Sequence, residues 1–195
     1  MVKALRDATG AGMMDCKRAL QEADGDIERA TEILREKGLA SAAKRAGRTA
    51  NQGLIDSYIH FNNTVGAMVE VNCETDFVAN TDEFRTFVKD LALHVASPSA
   101  PRWLTRDDVP TEELEAEQRF AEAQAREAGK PEAVLEKIVS GKIEAFVKDN
   151  VLMDQPFVKD DSKTIQQLAD ELGAKTGEKV VVRRFVRYRL GEDAE

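Results

Sequence analysis

The sequence predicts an α+β fold: a three-helix bundle over residues 1–38, then a core domain with a small antiparallel three-stranded sheet, helices and a short helical hairpin. Three observations carry this reading. Apolar residues in the first 38 positions recur at helical spacing between glycine-containing breaks. Val65, Ala67, Val69, Val71 and Cys73 alternate strictly with Gly66, Met68, Glu70, Asn72 and Glu74, the two-residue period of a half-buried strand. Two charged helical stretches, 111–129 and 131–150, are separated by a turn at Gly129-Lys130.

The elements follow in order. A short helix runs to about Thr9, the loop Gly10-Ala11-Gly12 follows, and a second helix spans about 13–23 with Cys16, Ala19, Leu20 and Ala23 on one face. Asp24-Gly25-Asp26 breaks it, and Asp26 suits the N-cap of a third helix over 27–37, with Ile27, Ala30 and Leu34 inward and Gly38 at its C-terminal cap. Residues 39–52 are Ala-rich and basic and read as a partly helical linker. Leu54–Phe61 pairs with Val65–Cys73 across an Asn62-Asn63 turn. A helix starting near Asn80 to Asp82 carries Phe84, Phe87, Val88, Leu91 and Val95 as its stripe. The helical hairpin covers about 111–150, its second helix opened by Pro131. Gln155-Pro156-Phe157 reads as a loop, Ile165 to Lys175 as a helix, and Val180 to Leu190 as the last strand, with Val180, Val182, Val186, Tyr188 and Leu190 sharing a face. The domain reading is therefore 1–38, a basic linker 39–52, and a core over 53–195.

Composition excludes several classes. Net charge is −8, against general nucleic-acid binding, which needs a basic footprint. The charge is uneven: residues 1–51 hold ten basic and eight acidic residues, leaving −10 for the rest, a contrast that places a boundary near residue 50. No stretch approaches the ~20 apolar residues of a membrane span. The charged N-terminus differs from a signal peptide, so a cytoplasmic location is expected. Cys16 and Cys73 form no CxxC, and with His60 and His94 they give no zinc spacing; they read as half-buried thiols. No phosphate-binding loop and no nucleophile elbow is present, and both histidines read as structural. No cofactor, no metal site and no catalytic residue is expected; the chain is not read as an enzyme.

One segment is unusual. Between the strand ending at Cys73 and the helix near Asn80 lies Glu74-Thr75-Asp76-Phe77-Val78-Ala79, where an aromatic residue and a valine sit beside an acid in a connection that is ordinarily polar. Either Phe77 or Val78 tucks under the loop as a hydrophobic staple, or Phe77 projects as a wedge into a partner with Asp76 beside it.

Long motifs then carry a resemblance. Leu5-Arg6-Asp7-Ala8-Thr9-Gly10-Ala11-Gly12-Met13-Met14-Asp15-Cys16-Lys17-Arg18-Ala19-Leu20 resembles the signature of the N-terminal UBA-like domain of the elongation factor Ts family. Glu70 through Asn80 resembles its second signature, and Gln155–Val158 and Arg183–Tyr188 look like further family segments. The resemblance is to the short bacterial form. It implies a guanine nucleotide exchange factor for the GTPase elongation factor Tu, promoting release of GDP and Mg²⁺ during translation elongation. It also implies partner-binding roles for Thr75, Asp76, Phe77 and Val78 near the partner's Mg²⁺ site, and for Gly10, Ala11, Gly12 and Met13 of the UBA-like module. Gly12 is expected to permit a tight turn, and one of Met13 and Met14 to fill the bundle core. The small sheet of the short form is expected to be covered by a second copy, giving a homodimer without nucleic-acid or membrane partners. The competing readings are a UBA-like protein-binding adaptor without exchange activity and an RNA-associated factor using the basic linker.

Overall fold

The computed structural model describes residues 1–9 and 11–192, apart from the side chains of Asp7 and Leu39. Mixed helix and sheet are observed. The chain runs α1 (Val2–Thr9), α2 (Met13–Glu22), α3 (Ile27–Arg45), β1 (Gln52–Ile59), β2 (Val65–Cys73), α4 (Asp76–Ala79), α5 (Asp82–Ala96), α6 (Thr111–Glu127), α7 (Glu132–Asn150), β3 (Pro156–Phe157), β4 (Asp160–Thr164), α8 (Ile165–Thr176) and β5 (Val181–Arg189). The main sheet has the order β1-β2-β5, and β3-β4 form a separate ribbon. The residues group into two compact units: 1–57, 68–91 and 167–184 in one, and 58–67, 92–166 and the chain from Phe185 in the other.

In the first unit, α1, α2 and α3 enclose a core of Leu5, Cys16, Ala19, Leu20, Ala23 and Ala30, with Val2, Ala11, Ile33 and Leu34 packed against it. Three of the six buried residues are alanines, so the helices approach closely but remove little apolar surface from water. The turn into α3 places Asp24 and Gly25 at positive φ. Gly25 N–H closes α2 on the Leu20 carbonyl at 2.8 Å. Asp26 caps α3 as expected, accepting from the Arg29 N–H at 3.0 Å.

Two expectations are corrected here. Ile27 is 41% exposed rather than inward; as the first residue of α3 it precedes the stripe, which Ala30, Ile33 and Leu34 supply at i, i+3, i+4. Gly38 does not end the helix: residues 39–45 continue it for two more turns, and the chain leaves the helix after Arg45. Interior glycine costs about 1 kcal/mol against alanine, which the helix formers Ala40, Ala42, Ala43, Lys44 and Arg45 outweigh.

The alternation in β2 is realised: Ala67, Val69, Val71 and Cys73 are buried. In the first unit Arg184 of β5 meets Glu70 of β2 at 2.7 Å; in the second, Leu190 N–H donates to Thr64 O at 2.8 Å. Partner numbers rise on one strand as they fall on the other, so the strands are antiparallel. Asn62-Asn63 forms the predicted turn, with Asn63 at φ 58 and the His60 N–H donating to Val65 O at 2.9 Å. The stripe of α5 buries Phe84, Val88, Leu91 and Val95, and Phe87 partly.

In the second unit α6 and α7 form the predicted hairpin, burying Ala121, Ala125, Leu135, Val139 and Val147. Gly129 takes φ 68, and Lys130 N–H reaches Ala125 O at 3.1 Å, closing α6. Gln155-Pro156-Phe157 is not a loop: Pro156 and Phe157 pair with Thr164 and Asp160. Gln155 is buried, its Nε2 donating to Ser99 O (2.9 Å) and Asp149 O (2.7 Å).

His94 is structural, as read from the sequence. Its Nδ1 accepts from the Val158 N–H at 3.2 Å, and Nε2 faces Gln155 Oε1 at 2.9 Å, which fixes the neutral ring with its proton on Nε2. Burial pushes its pKa down, partly opposed by Gln155. The unfolded chain therefore takes up this proton first. The contribution is full above the ordinary value of 6.5 and is lost as pH falls below it, at no more than about 1.4 kcal/mol per pH unit. Urea unfolding midpoints are expected to fall between pH 7.5 and 5.5, and to fall less steeply in His94→Gln. Equal slopes would show that His94 does not contribute.

Candidate functional site

The site grows from the end of β2. The buried Cys73 thiol donates to Thr75 O at 3.1 Å, and burial pushes its pKa up, the charge of Glu178 adding to this; it is a packed thiol, not a nucleophile. Thr75 stays extended (φ −128, ψ 154) and its hydroxyl accepts from the Val78 N–H at 3.4 Å, capping α4. The expected loop is therefore a single helical turn, Asp76–Ala79. It ends where Asn80 N–H and Nδ2 both donate to Asp76 O (3.0 and 2.9 Å), and Arg85 holds Asn80 Oδ1 at 2.7 Å. Thr81 then caps α5, accepting from the Phe84 N–H at 3.3 Å and donating to Val78 O at 2.7 Å.

Between these caps Ala79 is buried, Val78 half-buried, and Asp76 exposed. Phe77 is 83% exposed. The staple reading is thereby excluded for Phe77. Its ring projects into solvent, against the usual preference of a large aromatic side chain for burial. Among the described residues no hydrogen bond or ion pair engages the Asp76 carboxylate.

The turn between α8 and β5 braces this tip. Glu178 Oε2 accepts from the N–H groups of Glu74 (3.0 Å) and Thr75 (3.1 Å), while the Thr75 hydroxyl donates to Oε1 at 2.6 Å. In return Glu74 Oε1 accepts from the Lys179 N–H (2.6 Å) and Arg48 (3.1 Å). The Lys179 N–H above all, and then Arg48, hold the Glu74 carboxyl below the usual carboxylate range. Sequence reasoning missed Glu178, Lys179 and Arg48 here. Glu178 lies 103 residues from Thr75, and nothing local marks the pairing.

The second candidate surface lies at the start of α2. Gly10 is outside the described residues. Ala11 packs against the three-helix core, while Gly12 is exposed. Met13 and Met14 are 57% and 63% exposed, so neither fills the core; Ala11 closes that end and leaves the first turn of α2 projecting. Gly12 has φ −59, open to any residue, and a Cβ there would meet the flexible Asp15 carboxylate at 2.9 Å. Tight turning is not what Gly12 supplies. Among the described residues no hydrogen bond or ion pair joins the two surfaces. No group of three or more His, Cys, Asp or Glu among them is fit to hold a metal ion, and no helix is long and apolar enough to cross a membrane.

Comparison with known proteins decides the family. A family model described as "Elongation factor TS" matches residues 11–192. The Elongation factor Ts of Thermoanaerobacter sp. (strain X514) is 55% identical over 194 residues, covering 100% of this chain and 95% of that protein. The Elongation factor Ts of Moorella thermoacetica is 57% identical over 191 residues, covering 98% and 94%. That of Anaeromyxobacter sp. (strain Fw109-5) is 53% identical over 195 residues, covering 100% and 89%. The chain belongs to the elongation factor Ts family. Membership supports a role as a translation elongation factor. The family match takes in the Thr75–Val78 turn, the Glu178 brace, and Ala11, Gly12 and Met13.

Proposed function

We propose that the chain is a guanine nucleotide exchange factor for the GTPase elongation factor Tu, promoting loss of GDP and Mg²⁺ from that partner. The observation that supports this most directly is the exposed Phe77 ring beside an unengaged Asp76 carboxylate on a capped, braced turn. A GTPase holds its nucleotide through backbone contacts and through Mg²⁺ bridging protein and phosphate oxygens. Mg²⁺ demands near-ideal octahedral geometry, so a factor need only stabilise a partner conformation in which that shell is broken. Phe77 supplies apolar contact to that conformation, Asp76 draws polar groups away from the ion, and Thr75 and Val78 support the pair. Coupling is reciprocal: nucleotide that the factor loosens also loosens the factor, which frees it once new nucleotide enters.

Gly10, Ala11, Gly12 and Met13 of the N-terminal module, read as UBA-like, form the docking surface. Exposed methionines are soft, adaptable contacts for a protein partner. The same exposure favours the alternative of a protein-binding adaptor without exchange activity, and one experiment separates the two. Release of fluorescently labelled GDP from elongation factor Tu is expected to accelerate with added protein. Binding without acceleration would leave the adaptor.

A homodimer is part of this reading. In the second unit Ile59 lies across Gly66, and on the same sheet face Val186, Tyr188 (72% exposed) and Leu190 (79%) are uncovered. An apolar sheet face of this kind is suited to a second copy of itself. Light scattering at micromolar concentration is expected to give twice the chain mass of 21.6 kDa; a monomeric mass would overturn it.

A further inference from the structure

We infer that Glu178 is a positioning residue for exchange, holding the Asp76–Phe77 turn in its working geometry from 103 residues away; this rests on the exchange reading above. Phe77 is so exposed that its own surroundings cannot orient it. Its direction is set by the backbone that precedes it. There β2 has ended, and the N–H groups of Glu74 and Thr75 no longer have ladder partners. One Glu178 carboxylate accepts from both, and accepts from the Thr75 hydroxyl as well. That third bond turns the Thr75 oxygen so that it accepts from Val78 N–H, the cap on which α4 starts. Hydrogen bonds to an ionised carboxylate are the strong kind.

The return contacts lock the brace at its other end. Glu74 accepts from Lys179 N–H, Arg48 donates to Gly177 O at 3.2 Å, and Lys179 Nζ donates to Arg48 O at 3.1 Å. A second observation points the same way. Gly173 of α8 lies so close beneath the turn that a Cβ would stand 2.9 Å from Glu178 O and 3.8 Å from Val180 N. The missing side chain lets the helix press the turn toward the strand end. Both features bear on the backbone just before Phe77, and neither touches the exposed ring.

The test measures labelled GDP release against factor concentration for wild type, Glu178→Ala, Glu178→Gln and Phe77→Ala, with circular dichroism confirming the fold. Glu178→Ala is expected to lower the maximal rate between about ten- and a hundred-fold, the scale of a small mispositioning, while half-saturation moves less than about threefold because the N-terminal surface is intact. Glu178→Gln can keep its oxygen on the two N–H groups and turn its NH₂ to Thr75, so most of the rate should return. Amide exchange at Glu74 and Thr75 should quicken in the alanine variant and not in the glutamine variant. If Glu178→Ala is unfolded at the assay temperature, Glu178→Asp replaces it, keeping the charge but falling one methylene short, with the same fall in maximal rate expected. A wild-type maximal rate in the Ala or Asp variant, with Phe77→Ala impaired, overturns the inference alone. A wild-type rate in Phe77→Ala overturns the role given to the ring and its positioning by Glu178 together, whereas no acceleration by the wild-type protein overturns the exchange reading itself.

Discussion

Phe77→Ala is expected to cut stimulated GDP release by about ten- to a hundred-fold while leaving the fold intact. Burying a phenylalanine side chain against a partner contributes about 1.5–3 kcal/mol, and each 1.4 kcal/mol is a factor of ten in rate or affinity. The ring is 83% exposed, so its loss removes almost no packing within the chain. Thermal unfolding should shift by no more than the ±0.5 kcal/mol usual for surface positions. The pairing of a large functional loss with an unchanged melting curve is the signature to look for. A variant that melts early would instead mean that the ring supports its own chain. Asp76→Ala should show a smaller loss of the same type, because an exposed carboxylate gives up little until it meets the partner.

Gly53→Ala is expected to be the most damaging single change to the fold. Gly53, the second residue of β1, has φ +147, where side chains are strained whatever the available space. A Cβ there would overlap the Val71 carbonyl oxygen and approach Asn72 Cα to 2.7 Å. These are backbone atoms of the central strand and cannot swing aside. Strain of about 1–3 kcal/mol and overpacking of similar size together approach the whole stability of a marginal fold. A drop in melting temperature of about 10 °C or more is expected, measured by circular dichroism, and largely insoluble expression is equally consistent. Gly66 of β2 is a useful contrast. There the close contact of a Cβ is with the flexible end of Ile59 at 2.7 Å, and the nearest backbone atom, Tyr58 O, stands at an ordinary 3.8 Å, so the cost should be small.

The strongly periodic segments were legible. β2 and the stripe of α5 follow from hydrophobic spacing, because each buries one continuous face, and the α6–α7 hairpin from two charged helical stretches split at Gly129-Lys130. Gly38 was misread because a glycine after a charged turn is the commonest helix stop, yet nothing in its surroundings demands positive φ. The β3–β4 ribbon was missed because Asp160-Asp161-Ser162-Lys163-Thr164 carries no apolar alternation. The oddity of Phe77 was legible as composition, but its exposure was not. Whether a ring tucks in or projects depends on how the backbone before it is held, and that is decided by Glu178 from another part of the chain. Conversely, only one of Met13 and Met14 was expected to project, because a small bundle ordinarily draws on the apolar residues it has; both do.

The unbroken course of α3 has a consequence for how a partner is gripped. Its 19 residues span about 28 Å at 1.5 Å each, so a stiff helix, and not a slack tether, makes up most of the way from α2 toward β1 within the unit that also holds the Phe77 tip. A tethered pair of contact pads searches a volume, and its avidity is diluted by that search. A stiff pair behaves like a calliper: once one jaw closes, the other is already at its fixed span. On the exchange reading, a GTPase whose two contact pads lie at another separation can satisfy one jaw only, so discrimination among related GTPases is written into the length of a helix as much as into the chemistry of either end.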